Sequence, residues 1–68
     1  MNFEGFFVNQ EKHGKGMERL GNESLYLGDY VKGKKDGYGE LYCKEMTYKG
    51  NWRNDLFHGF GHWKQNSN

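Results

Sequence analysis

The strongest constraint on this chain is a glycine-rich pattern that occurs three times. The segments FEGFFVNQEKHGKG, YLGDYVKGKKDGYG and YKGNWRNDLFHGFG each read aromatic-x-Gly-x-aromatic, then five residues, then His or Asp, then Gly-x-Gly. The copies begin at Phe3, Tyr26 and Tyr48, so they follow one another at intervals of 23 and 22 residues. A period of this size predicts a repeat architecture, in which each copy is a small structural unit that packs against its neighbours.

Most of the glycines belong to this repeated pattern, and the repetition argues against a phosphate-binding loop. A loop of that kind occurs once per site and opens a helix, whereas here Gly-x-Gly recurs without a helical pattern after it. The run that begins at Gly33 also lacks the spacing of a Walker loop. We therefore interpret nine of the 11 glycines as structural, in three columns: Gly5, Gly28 and Gly50; Gly14, Gly37 and Gly59; Gly16, Gly39 and Gly61.

Each copy contains two runs of alternating residues that are typical of half-buried strands. The first strands are predicted over 3–8, 26–31 and 48–53, and the second over 14–20, 37–43 and 59–64. The segments NQEK, KGKK and NDLF between them suit tight turns, because Asn and Gly tolerate positive φ. Folding each hairpin about its turn pairs glycines across the strands, with aromatic rings lying flat over each pair: Gly5 with Gly16, Gly28 with Gly39, and Gly50 with Gly61.

Composition supports strands over helices. The 68 residues suffice for one small domain, and 11 glycines weigh against helix, since each interior Gly costs a helix about 1 kcal/mol relative to Ala. The polar segments RLGNES and KEMT join consecutive hairpins. We predict an all-β, single-layer, twisted antiparallel meander of about six strands, built from hairpin repeats at 3–25, 26–47 and 48–68. At the start of each second strand, His13, Asp36 or His58 is expected to fix the hairpin end by a hydrogen bond.

Strand alternation gathers the apolar side chains on one face of the predicted sheet. A single layer of this length has no second layer to cover that face, and an exposed row of rings would exceed the apolar patch that monomers usually show. Curling of the sheet would let neighbouring rings cover one another in part, and we expect the remaining groove to take a partner. This aromatic face carries Phe3, Phe7, Glu18, Leu20, Tyr26, Tyr30, Leu41, Cys43, Tyr48, Trp52, Trp63 and Gln65.

The repeated pattern resembles the MORN (membrane occupation and recognition nexus) repeat, Y-x-G-x-W-x-x-G-K-x-x-G-x-G, from Phe3 to about Gln65. The second copy matches best, with Gly33 and Lys34 after Tyr30, and the third has Trp52 in the tryptophan position. The first copy departs most, because phenylalanines replace the Tyr and Trp. The resemblance implies a fold of hairpin repeats and a role as a scaffold that binds proteins, dimerises or accompanies a catalytic domain.

Three classes of function follow from these residues. The first is a protein interaction or self-association module, whose contact residues are predicted to be Tyr26, Tyr30, Leu41, Tyr48, Trp52 and Trp63. The second, implied by the name of the family, is a membrane module that recognises anionic phospholipids through the basic hairpin tip of Lys32, Lys34 and Lys35. The third is an enzyme, for which the sequence offers no catalytic constellation. A net charge of +1 gives no strong attraction for nucleic acid, and we expect no such partner.

The candidate chemical sites have plainer interpretations. His13, His58 and His62 lack clustered Cys or acidic residues at ligand spacing, so no metal site is predicted, and no cofactor is expected. Cys43 falls on the apolar face as a packed thiol. Carboxylate pairs such as Glu18 with Glu23, or Asp29 with Glu40, have no pocket-forming context.

The single cysteine favours a reducing, cytoplasmic compartment, with association to a membrane or the cytoskeleton as a further expectation. The sequence has no apolar run long enough to span a bilayer and no signal-peptide pattern. It starts two residues before a repeat and ends just after one, so the outer strands should have open edges. We expect either a piece of a longer array or a chain that assembles.

Overall fold

The computed structural model describes residues 2–21 and 23–66, which form one open sheet of six antiparallel strands in chain order and no helix. The strands are β1 (Asn2–Val8), β2 (Glu11–Gly21), β3 (Ser24–Val31), β4 (Lys34–Tyr42), β5 (Met46–Arg53) and β6 (Leu56–Gln65). The sheet measures 41 × 26 × 13 Å. This confirms the predicted all-β, single-layer meander. Asn22 of the RLGNES segment, and Ser67 and Asn68 of the third predicted repeat, lie outside the described residues.

The hairpins turn more tightly than predicted. Each turn has two residues, all with φ between 50° and 83°, which is the type I′ geometry whose twist matches that of the flanking strands. The second strands therefore begin three residues earlier than expected, at Glu11, Lys34 and Leu56. The turn residues are Asn9 and Gln10, Lys32 and Gly33, and Asn54 and Asp55.

A bulge in each second strand explains the glycine column that begins with Gly14. In the first hairpin Gly5 pairs with Gly16 but Phe7 pairs with Lys12, so β2 has two more residues than β1 in this interval. The same shift occurs in the other two hairpins. Gly14 and its equivalents in β4 and β6 have φ of 67° to 102°, which side chains other than hydrogen rarely allow. Because the excess is two residues, the strand keeps its faces on both sides of the bulge.

The other two glycine columns form a continuous row across all six strands, which we call the glycine rung. The first aromatic ring of each hairpin lies flat over its glycine pair. A Cβ placed on Gly16 would stand 2.7 Å from the Phe3 ring, and one on Gly39 would stand 2.5 Å from ring carbons of Tyr26. The predicted glycine pairs are confirmed. The rung consists of Gly5, Gly16, Gly28, Gly39, Gly50 and Gly61.

The core consists of aromatic rings that meet edge to face. The Tyr26 ring lies 5.3 Å from Tyr30 in its own hairpin and 5.3 Å from Trp52 in the next. The expectation that the aromatic face lies open is wrong for its four central rings, because rings of adjacent repeats cover one another. Their exposed fractions are 0% for Tyr26, 2% for Tyr30, and 5% for both Tyr48 and Trp52.

Backbone hydrogen bonds tie the second and third turns to the hairpin that precedes each of them. The Gly33 amide donates to the Lys12 carbonyl and the Asp55 amide donates to the Lys35 carbonyl, both at 2.9 Å. Asp36 accepts from the Asn54 amide at 3.4 Å, so this carboxylate holds the turn of the next hairpin rather than its own. The sequence prediction was wrong on position as well, since Asp36, like His13 and His58, is the third residue of its strand.

Candidate functional site on the aromatic face

The aromatic face stays accessible at the β6 end of the sheet. Leu41, Tyr48 and Trp63 are directly paired neighbours on β4, β5 and β6. Tyr48 is buried between them, whereas Trp63 is 56% exposed and Leu41 is half-buried against the core. Phe57, also on β6, stacks on Tyr48 with ring centroids 4.1 Å apart and is 50% exposed. The predicted contact residues are therefore brought together on one face, but only Leu41 and Trp63 offer substantial surface.

A shallow cleft of about 320 Å³ lies beside these residues. Ligand pockets in proteins hold about 300–1,000 Å³, so this cleft is large enough for a few side chains of a bound segment. Most of its lining is apolar, and an ion pair between Lys35 Nζ and Asp55 Oδ1, 3.8 Å apart, marks its polar side. The lining residues are Leu20, Lys35, Leu41, Trp52, Asp55, Leu56 and Phe57.

The basic cluster predicted at the second hairpin tip is divided by the fold. Lys32 in the turn and Lys34 at the start of β4 are exposed. Lys35 instead folds over the aromatic face, with Nζ 5.3 Å from the Tyr26 ring centre and 5.9 Å from that of Trp52. These distances are within the range of cation–π attraction. The structure thus leaves two of the three predicted lysines at the tip.

A buried polar cluster at the β1 end was not predicted from the sequence. Glu18 is 8% exposed and accepts hydrogen bonds from the Tyr30 hydroxyl at 2.7 Å and from Lys12 Nζ at 2.9 Å. Lys12 Nζ also lies 5.2 Å from the centre of the Phe3 ring. A sequence signal was present, because Glu18 occupies the column that holds Leu41 and Trp63 in the other repeats. A charged residue in an apolar column predicts a buried partner.

The cluster sets the ionisation of its members. Burial raises the pKa of Glu18, but the hydrogen bonds from Tyr30 and Lys12 and the charges of Lys12 and Lys35 outweigh it, so the pKa lies below its ordinary value. Burial, and then the hydrogen bond to Glu18, raise the pKa of Tyr30. Burial likewise raises the pKa of Tyr26. Glu18 is therefore a carboxylate at neutral pH, and both tyrosines keep their protons.

The model of the MORN repeat matches residues 3–24, 26–45 and 48–66. The chain belongs to the MORN repeat family. MORN repeats are generally interaction or membrane-association modules and are non-enzymatic as a family.

Curated relatives also carry these MORN repeats. The chain is 35% identical to alsin from Homo sapiens and to alsin from Mus musculus, in each case over 66 residues. The alignment covers 87% of this chain but 4% of each alsin. The similarity therefore concerns a small part of those proteins.

The structure also shows the surroundings of the remaining side chains that the sequence offered as candidate chemical sites. Asp29 binds Lys15 Nζ at 3.2 Å and accepts from the Tyr38 amide at 3.4 Å, while Glu40 accepts from the hydroxyls of Tyr38 and Tyr42. Cys43 is a half-buried free thiol. Within residues 2–21 and 23–66, no three His, Cys, Asp or Glu side chains are grouped as metal ligands would be. The same described part of the chain has no helix of the length and apolarity that crossing a membrane requires.

The lowered pKa of Glu18 gives this MORN chain a testable pH dependence. A carboxylate whose folded pKa is depressed stabilises the fold fully above its unfolded pKa, near the ordinary value of 4.5, and loses that stabilisation as the pH falls through the folded pKa. We expect Glu18→Gln to lower the urea midpoint at pH 7 and the difference from the parent chain to shrink below pH 4.5. Chemical denaturation from pH 3 to 7 measures this, with the exposed Glu45→Gln as control. A difference that stays constant over this range would contradict an ionised Glu18 in the fold.

Proposed function

We propose that this chain is a non-enzymatic protein interaction module whose aromatic face binds a peptide or helix of a partner, or a segment of a second copy. The observation that carries the proposal is the apolar cleft beside Leu41, with Trp63 exposed on the same side of the sheet. Exposed aromatic residues next to an apolar pocket are typical of the anchor points in protein interfaces. The general role of MORN repeats as interaction or membrane modules agrees with it.

The six predicted contact residues have two roles in this proposal. Leu41 and Trp63 have exposed surface and would bury it against the bound segment. Tyr26, Tyr30, Tyr48 and Trp52 form the buried core against which Leu41 packs, and Trp52 also lines the cleft. A rigid support of this kind lowers the entropy lost when an interface forms.

Membrane binding through the basic tip receives less support from the geometry. Lys32 and Lys34 are exposed, but Lys35 lies over rings and pairs with Asp55. Each lysine near an anionic surface contributes about 1 kcal/mol, so two of them give weak attraction. A cytoplasmic location, beside a membrane or the cytoskeleton, accords with the single free thiol and with the general membrane association of the family.

The proposed interface predicts which substitutions abolish binding. Peptides selected from a random displayed library against the folded chain would be measured by calorimetry. We expect Leu41→Ser and Trp63→Ala to weaken binding at least about fivefold, since removing an interface anchor costs more than about 1 kcal/mol. The control is Tyr38→Ala, which removes an aromatic residue of similar exposure from the opposite face and should leave affinity unchanged.

A vesicle-binding experiment, combined with the aromatic-face variants above, separates protein interaction from membrane recognition. Sedimentation with phosphatidylserine-containing vesicles would be compared between the parent chain and Lys32→Gln/Lys34→Gln, with Lys35 left in place because it packs on the rings. Vesicle binding that this double variant abolishes, together with peptides that bind all aromatic-face variants equally, would overturn the interaction proposal in favour of membrane recognition.

A further inference from the structure

The most exposed aromatic side chains are concentrated on the two outer strands. Within the described residues β1 pairs only with β2 and β6 only with β5, so the outer backbone edge of each is unpaired. Such edges are templates for pairing with another strand. Of the aromatic side chains that are at least half-exposed, all but Tyr38 lie on these strands: Phe6 at 68%, Phe7 at 59%, Phe57 at 50%, Phe60 at 88% and Trp63 at 56%.

The two junctions between repeats within the chain show how a second strand receives the first strand of the next repeat. At β2–β3, Gly16 pairs with Gly28 and Glu18 with Tyr26. At β4–β5 the equivalent residues pair in the same way, so both junctions have one register. The amide of the second turn residue then bonds to a carbonyl of the preceding hairpin. This junction is therefore a repeated unit that is set by sequence columns.

We propose that β6 of one chain pairs with β1 of a second copy in this register. The proposal concerns the strand edges and goes beyond the groove proposed above. Continuing the columns places the Gln10 amide near the Phe57 carbonyl and extends the glycine rung from one chain to the next. The pairs, with the β6 residue first, would be Gly59 with Phe7, Phe60 with Phe6, Gly61 with Gly5, His62 with Glu4, Trp63 with Phe3, and Lys64 with Asn2.

Side-chain complementarity supports this pairing over the pairing of two β6 strands. Phe60 and Phe6, the most exposed aromatic residues, would face each other where the β2–β3 junction has the ion pair of Lys15 and Asp29. Glu4 would lie opposite His62 and diagonal to Lys64, and the diagonal Glu4–Lys64 pair is within reach for cross-strand attraction. Two antiparallel β6 strands would instead bring Lys64 of both chains onto one interface, where like charges repel.

The geometry also makes the association directional. A contact between β6 and β1 uses different surfaces on the two partners, so each added copy leaves one β1 edge and one β6 edge open. Heterologous contacts that do not close into a ring produce open chains of subunits. We expect the weight-average mass to rise continuously with concentration, without a plateau at the dimer.

Disulfide trapping tests the register directly. In a Cys43→Ser background, Phe6→Cys and Phe60→Cys chains, one of them isotopically heavy, would be mixed and oxidised gently. The expected product is the mixed disulfide in excess over both homodimers. Tyr38→Cys, an exposed position of the same face away from the edges, is the control. Predominant Phe60→Cys homodimers, or yields no higher than with Tyr38→Cys, would overturn the proposal.

A charge-exchange experiment tests the same contact in solution. Phe60→Glu and Phe6→Lys replace exposed side chains, and circular dichroism is used to check that each variant folds. Each variant alone should sediment as a monomer at concentrations where the parent chain associates. An equimolar mixture should associate into chains in which the two variants alternate, because the introduced Glu and Lys attract at one contact and Phe60 still meets Phe6 at the next. A mixture that stays monomeric would contradict the pairing. Peptide affinity for the aromatic face is measured at dilutions where the chain is monomeric, so failure of either proposal leaves the other testable.

Discussion

Replacing Trp52 by alanine is expected to abolish cooperative folding of the chain, whereas replacing Trp63 leaves it folded. Trp52 is 5% exposed, contacts the rings of Tyr26 and Tyr48, and donates from Nε1 to the Gly39 carbonyl at 3.1 Å. Removing a buried Trp side chain costs about 3–5 kcal/mol, which matches the whole stability of about 3–5 kcal/mol that a core of this size can supply. Circular dichroism against urea at 25 °C measures the loss.

Trp63→Ala is the matched control because it removes the same side chain from a half-exposed position. It should cost about 1 kcal/mol, since much of its apolar surface already contacts water. Trp52→Phe then separates the hydrogen bond from the ring, and it should lie between the other two variants. Equal destabilisation by Trp52→Ala and Trp63→Ala would show that the rings do not form the core described above.

Gly39→Ala is expected to have the second largest effect, and for a different reason. The added methyl group would meet the Tyr26 ring at 2.5 Å, so the ring must leave its position over the glycine rung. Overpacking of this kind costs about 1–3 kcal/mol. The control is Gly14→Ala, where a Cβ has one neighbour at 3.9 Å and the cost arises from a φ of +82°, about 1–2 kcal/mol. Thermal melting followed by circular dichroism ranks the two variants.

A double-mutant cycle identifies the cause of the destabilisation by Gly39→Ala. If the Tyr26 ring is the obstacle, Gly39→Ala should cost less when Tyr26 is already replaced by Leu, so the two effects should not add. Gly14→Ala has no contact with that ring and should remain additive with Tyr26→Leu. Additive effects for Gly39→Ala would place the strain in the backbone instead.

The sheet, the hairpin repeats and the glycine pairs could be predicted from the sequence, because each depends on the periodic spacing of residues within one repeat. The spacing from Gly28 to Gly39 predicts the pairing in the middle of the hairpin, and three copies exclude coincidence. The turns were harder to delimit. Positive φ at Asn9 and Gln10 closes the turn in two residues, and the extra residues of the second strand are taken up by a bulge at Gly14. The glycine column marks this bulge, but the column alone does not show how many residues the bulge contains.

Features that depend on contacts between repeats could not be predicted in the same way. Tyr26 is buried because Trp52 of the next hairpin packs against it. The curvature of the sheet that brings these two rings together cannot be predicted from the sequence of either repeat alone. Lys35 belongs to a basic run in the sequence, yet its long side chain lies over rings of two repeats. The pairing of Glu18 with Tyr30 likewise joins two hairpins.

The two connections between repeats differ in length although the glycine rung does not shift. Arg19 pairs with Leu25 at one connection and leaves five residues between them, whereas the equivalent Tyr42 pairs with Thr47 at the other and leaves four. Both lie at the edge of the sheet opposite the hairpin turns. Register is therefore set from the middle of the strands, and the connections tolerate a change in length. An engineer could graft a foreign loop between residues 43 and 46, and the array would display it at the end of a scaffold whose spacing stays the same.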